Sequence, residues 1–114
     1  MIRYGDEAWS ELIFEKFVPK VERRDEQWVD VELRVETAAS TPLPADLIDF
    51  SILVVCTHRG FPMQIAALDE GCDCEYQLTE AEKAQIEAYV NSEPLQALIR
   101  EAAASAADQT EANR

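Results

Sequence analysis

Glycine is scarce: Gly5, Gly60 and Gly71 are the only three in 114 residues. No glycine-rich stretch can cradle a phosphate with closely spaced backbone amides, which excludes nucleotide binding by a loop of that type. Cations are also few, with ten Lys and Arg against 23 Asp and Glu and a formal net charge of −13. Proteins bind double-stranded nucleic acid by displacing its condensed counterions with Lys and Arg, so direct DNA or RNA binding is not expected of this surface. Long apolar runs are missing as well. The longest, Ile52 to Cys56, falls far short of a membrane span, and the first seven residues hold no apolar signal core. The expectation is a protein neither exported nor embedded in a membrane. Its three cysteines are an odd number, and Cys72 and Cys74 are too close in sequence for a relaxed disulfide, which points to free thiols in a reducing cytoplasm.

What is present suffices for one folded domain. Apolar residues make up 47% of the chain, and a chain of this length hides roughly two-thirds of its unfolded surface on folding. We expect a single domain over 1–107 and a frayed polar tail over 108–114. The acid is uneven. Residues 69–114 carry 11 acids and three bases, net −8, while residues 1–68 carry 12 against seven, net −5. Such a field keeps the chain soluble, and it also attracts a basic protein partner.

Along the chain, Asp6 or Ser10 is placed to cap a first helix whose apolar stripe is Trp9, Leu12, Ile13, Phe17 and Phe14, stopped at Pro19. Residues 20–27 read as a charged connector. From Trp28 to Thr37 the alternation is clean, with Val29, Val31, Leu33 and Val35 opposed to Asp30, Glu32, Arg34 and Glu36, which predicts a half-buried antiparallel strand. Pro42 and Pro44 make 38–46 a loop. From Leu47 to His58 both faces are apolar, which predicts a central strand covered on both sides. Met63 to Leu68 reads as a third strand with an edge marked by Pro62, and 72–78 as a fourth. Thr79-Glu80-Ala81-Glu82 matches a capping box, so a helix is expected from Glu80, with a second restarting at Ser92-Glu93-Pro94. The predicted class is α+β: a three- to four-stranded, mostly antiparallel sheet with one N-terminal and two C-terminal helices.

His58 and all three cysteines fall within 19 residues, as Cys56-Thr57-His58 and Cys72-Asp73-Cys74. Those are the atoms of a Cys3His zinc site, although the usual C-x2-4-C spacing is absent. A meander argues against it, because a third strand would separate the two pairs and next-but-one strands lie roughly 10 Å apart. Zinc requires 61–71 to be a loop. Otherwise Cys56 is a small buried hydrophobe and His58 a strand-end side chain. A Cys56/His58 nucleophile and base lacks an orienting third group. Asp69-Glu70 and Glu80/Glu82 are explained as turn and capping residues. No cofactor is called for and no enzyme is indicated.

Trp28 falls on the charged face of its strand, where an aromatic can anchor a partner or a second subunit unless a helix covers it. Trp9, Trp28, Glu32 and Glu36 are therefore the candidate partner-binding residues. The reading is a non-enzymatic protein acting by contact with a basic protein partner, with a homodimer and a small zinc module left open. In composition the chain resembles the small acidic accessory proteins of bacteriophages and other mobile elements. That resemblance implies a compact domain that inhibits or adapts host machinery; it brings no motif, so no site residues are carried over.

Overall fold

The computed structural model describes residues 1–3 and 11–112, with side chains for 1–2 and 11–104. The elements are β1 (Ile2–Arg3), β2 (Phe14–Arg23), β3 (Trp28–Thr37), β4 (Phe50–Thr57), β5 (Pro62–Asp69), β6 (Cys72–Asp73), β7 (Tyr76–Gln77), α1 (Glu80–Val90) and α2 (Glu93–Ala112). Strands β2 to β6 form an antiparallel meander in chain order, while β1 and β7 pair separately. The class is α+β with a five-stranded sheet followed by two helices. Helical backbone continues to Ala112, into the segment expected as a tail.

The expected N-terminal helix is overturned over the residues described. Asp6, Trp9 and Ser10 lie outside them, but Phe14 to Arg23 is a strand paired with β3 along its whole length. The physical reason is a bulge. The register shifts between Phe14 and Lys16, so Glu15 is an extra residue, and both Phe14 and Phe17 turn inward, their ring centroids 5.3 Å apart. A bulged strand thus reproduces the three-residue apolar spacing that helices use. Beyond it, Phe17, Pro19 and Val21 alternate with exposed Val18, Lys20 and Glu22. Pro19 is tolerated because β2 is an edge strand.

Residues 20–27, expected as a connector, instead hold the end of β2 and a tight turn. Asp25 Oδ1 accepts the backbone N–H groups of Gln27 and Trp28 at 2.8 and 2.9 Å. The third expected strand, Met63 to Leu68, is present, but the fourth needs correction. Residues 62–69 are a full strand, but 72–78 breaks at Cys74 into two short pieces that belong to different sheets. Glu70 and Gly71, at φ 53° and 80°, form the two-residue turn before the first piece.

One face of the sheet carries the core. Val29, Val31 and Leu33 from β3 and Phe50, Ile52, Val54 and Cys56 from β4 pack with Ile86, Val90, Leu95 and Ile99 from the helices. Helix α2 lies over β2 and β3, and α1 lies beside β5. Phe17 stacks on Tyr89 with ring centroids 4.5 Å apart. Both helices lie on the core face, yet β4 is covered on its other face as well, as its apolar run predicts: Ser51 and Val55 are buried there and Leu53 is half-buried.

At the centre of the helix layer Glu82 is fully buried. Its Oε1 accepts the Thr79 N–H at 2.8 Å while Thr79 Oγ1 accepts the Glu82 N–H at 3.1 Å, completing the predicted capping box. Its Oε2 accepts the Leu12 N–H at 2.7 Å and pairs with the amino group of Met1, also buried. One carboxylate thus joins the helix start to two segments about 70 and 80 residues away in sequence.

Replacing Glu82 with Ala strands three buried donors, one of them charged, and is expected to cost about 3–5 kcal/mol. Thr79→Ala, which removes only the cap, is expected to cost about 1 kcal/mol. Urea unfolding of the two variants checks the order, and equal losses would remove Glu82 from its central role. Asp25 gives an acid-limb prediction. The Gln27 and Trp28 amides hold its carboxyl below the usual range, so its stabilising contribution is complete above about pH 4 and is lost as pH falls through the lowered folded value. Asp25→Asn is expected to flatten that part of the pH dependence, measured as denaturant midpoints between about pH 5 and pH 2.

Candidate functional site

Two surfaces follow from a sheet with helices on one side only: the helix-free face and the edge of β5 that no strand pairs among the described residues. On the helix-free face, β2 presents Val18, Lys16, Lys20 and Glu22, β3 presents Trp28, Asp30, Glu32, Arg34 and Glu36, and β4 contributes Ser51, Leu53 and Val55. The structure therefore gathers Trp28, Glu32 and Glu36 on one face; Trp9 lies outside the described residues. Trp28 is half-buried in the first position of β3, opposite Thr57.

That face is not the acidic surface its acids suggest. Lys16 pairs with Glu36 at 3.9 Å, Lys20 with Glu22 at 3.4 Å, Arg24 with Asp30 at 2.9 Å and Arg34 with Glu32 at 3.1 Å, and Arg34 also pairs with Asp49. Four bases against five acids leave it at −1, although the chain carries −13. On the edge strand β2, Val18 lies opposite Arg34 and is 49% exposed.

The edge of β5 has the opposite character. From Pro62 to Ala67 no strand is paired to its outer side among the described residues, because β6 covers only Leu68 and Asp69. Beside this edge α1 supplies Lys83 and Glu87, one helical turn apart, as a wall. A hollow of about 170 Å³ lies against Pro62 to Ile65, and a larger one of about 390 Å³ continues past Ala67 to Asp73, Cys74, Tyr76 and Leu78. Beyond, Asp46, Asp69 and Glu75 line a third of about 240 Å³. Among the described side chains, Asp69, Asp73 and Glu87 line the groove with the base Lys83, and Asp46 and Glu75, which have partners of their own, lie at its far end. At its mouth Phe61 and Met63 are 63% and 62% exposed.

The sequence reading missed this groove, because the pairing of β5 on one side alone is a property of the assembled sheet. Pro62, read as an edge marker, was the one signal for it.

The structure separates the four candidate zinc ligands. Cys56 points into the core, and His58 sits past the end of β4, its Nε2 2.8 Å from the Asp25 carbonyl, an oxygen that can only accept. Cys72 and Cys74 follow the far end of β5, opposite Phe50, about 20 Å along the strands from His58. With 62–69 a strand, the loop that zinc required is not there, and among the described residues no three of His, Cys, Asp and Glu converge on a metal position. All three cysteines are free: Cys72 exposed, Cys74 half-buried with its thiol 3.6 Å from the Ala67 carbonyl oxygen, and Cys56 buried.

Burial, and secondarily the nearby Asp30 carboxylate, pushes the Cys56 thiol up to about 11. It is a packed hydrophobe and no nucleophile. Among the described residues no helix is long and apolar enough to cross a membrane. Comparison with protein-family models, with curated proteins and with solved structures finds no match to this chain.

The thiols give a direct check. At pH 8 only roughly one Cys56 in a thousand is a thiolate, so a disulfide reagent is expected to label Cys72 fast, Cys74 more slowly and Cys56 only after denaturation. Peptide mapping of a time course reads this order, and early labelling of Cys56 would contradict its placement in the core.

Proposed function

We propose that this is a non-enzymatic contact protein of the cytoplasm that binds a basic protein partner through the acidic groove along β5. The observation that supports it is the segregation of charge. The acids of the helix-free face are offset by neighbouring cations, whereas along the groove Asp69, Asp73 and Glu87 outnumber Lys83, its one base among the described residues, three to one. Complementary potential of this kind speeds encounter and selects a cationic partner. Free cysteines suit a reducing compartment. An accessory role against host machinery is the setting that the composition suggests.

A second reading is favoured by the near-neutral sheet face. Two chains of −13 repel, and this face is where they can approach at least cost. Under that reading Trp28, Glu32 and Glu36 are dimer contacts.

Reversal of two groove acids separates the readings. In a double variant, Asp73→Lys with Glu87→Lys, capture of the partner at low salt is expected to fall at least roughly tenfold, and capture by the parent chain to weaken as salt rises. Val18→Glu on the open face is expected to leave capture unchanged. Loss of capture with Val18→Glu and none with the reversal would assign function to the sheet face instead.

A further inference from the structure

We infer that the free edge of β5 accepts a strand: an extended segment of the basic partner, with apolar and cationic side chains in alternation, adds to the sheet there. The inference rests on the contact reading above and specifies how the partner is held.

Among the described residues the sheet protects only one of its two edges. The β2 edge has Pro19 in its middle and Lys16 and Lys20 beside it, the devices by which edge strands avoid pairing with other chains. On β5 proline occupies only the first position, and Met63 to Leu68, Met-Gln-Ile-Ala-Ala-Leu, holds no charge. In a chain with 29% charged residues, the five uncharged positions from Met63 to Ala67 that β6 leaves open form a template for pairing.

Its main chain is turned the right way. Cys74 Sγ reaches the Ala67 carbonyl oxygen at 3.6 Å from the side away from β4, so Ala67 directs its polar groups outward. In an antiparallel strand the N–H and C=O of one residue share a side and alternate along the chain. Ile65 therefore faces outward as well, and Asp69, paired with Cys72, obeys the same parity. The Ile65 N–H and C=O and the Ala67 N–H open onto the groove, while the Ala67 C=O meets only a thiol, a weak donor.

Side chains of an added strand alternate between two environments. Those turned toward the helices extend the core beyond Ile65, Ala67 and Leu78, filling the 390 Å³ hollow. Those turned away from the helices lie on the side of Asp73, which favours Lys or Arg, while on the helix side Glu87 of the α1 wall offers a second carboxylate to a long cationic side chain. Phe61 and Met63 offer apolar contact at the entrance. A second copy of this chain fits poorly, because it would bring the same acids face to face. Main-chain pairing supplies affinity in this mode and the alternating side chains supply specificity.

The test uses the full chain and a fluorescein-labelled probe, acetyl-Lys-Val-Lys-Val-Lys-Val-Lys-amide, followed by anisotropy at low and high salt. Two further probes carry N-methyl groups on alternate amides, one on each set. An added strand uses only one set to pair with β5. Methylation of that set is expected to weaken binding at least roughly tenfold and methylation of the other to leave it unchanged. The Ile65 and Ala67 amides are expected to gain protection from hydrogen exchange in the complex. Binding that ignores both methylations would overturn strand addition. So would absence of binding at low salt, or a free protein already dimeric through β5. In each of those cases the contact reading is judged separately, by whether Asp73→Lys with Glu87→Lys still abolishes partner capture.

Discussion

The buried Glu82 carboxylate is the constraint on which the arrangement depends. An isolated carboxylate in an apolar interior is very costly, and it is retained only where donors surround it. Here the donors come from three places in the chain, the Thr79 amide, the Leu12 amide and the Met1 amino group. Satisfying them fixes where α1 begins and which segments lie beneath it. Gln85, one turn on, extends the same tie: its Oε1 accepts the Phe14 N–H at 2.9 Å and its Nε2 donates to the Leu12 carbonyl at 2.8 Å. The entry to β2 is thereby held against the helix.

The direction of α1 has consequences on its other sides. Once Glu82, Ile86 and Val90 are committed inward, Lys83 and Glu87 fall on the flank that runs beside β5. The groove wall is therefore a by-product of the buried anchor. The turn between β4 and β5 is held from above by α2, where the Gln96 amide donates to the Gly60 and Val90 carbonyls at 3.1 and 2.8 Å. Gly60, at φ 93°, has no room for a side chain, since a Cβ would lie 2.1 Å from Gln96 Oε1. The start of the free edge is thus set by the helices and its end by the turn into β6, while between them it is unpaired among the described residues.

Much of this was legible in the sequence wherever a local rule acted alone. The alternation of Val29, Val31 and Leu33 placed β3, the Thr79 to Glu82 box placed α1, and Ser92-Glu93-Pro94 placed the break before α2. The N-terminal helix failed because the Glu15 bulge imitates helical spacing, so that Phe14 and Phe17 satisfy either pattern. Only the pairing partner β3 decides between them, and pairing is not a local property. The strand expected over 72–78 failed for a related reason. Its alternation is real, but Cys74 turns back toward Ala67, and the residues after it pair with Ile2 and Arg3 from the other end of the chain.

The charge of the candidate surfaces was misread in an instructive way. Glu32 and Glu36 are conspicuous in the sequence as acids on a strand, yet cross-strand partners at Lys16 and neighbours such as Arg34 cancel them. A net charge of −13 says how much acid there is and nothing of where it lies uncompensated. Antiparallel pairing of β2 with β3 neutralises the sheet face by bringing the lysines of one strand opposite the glutamates of the other. At the β5 edge the neighbours are the short strands β6 and β7 and the helix α1, and the base they bring to the groove among the described residues is Lys83. Asp73 and Glu87 therefore lie beside the stretch of β5 whose outer side is unpaired among the described residues, and the two properties that a cationic extended chain would recognise coincide there.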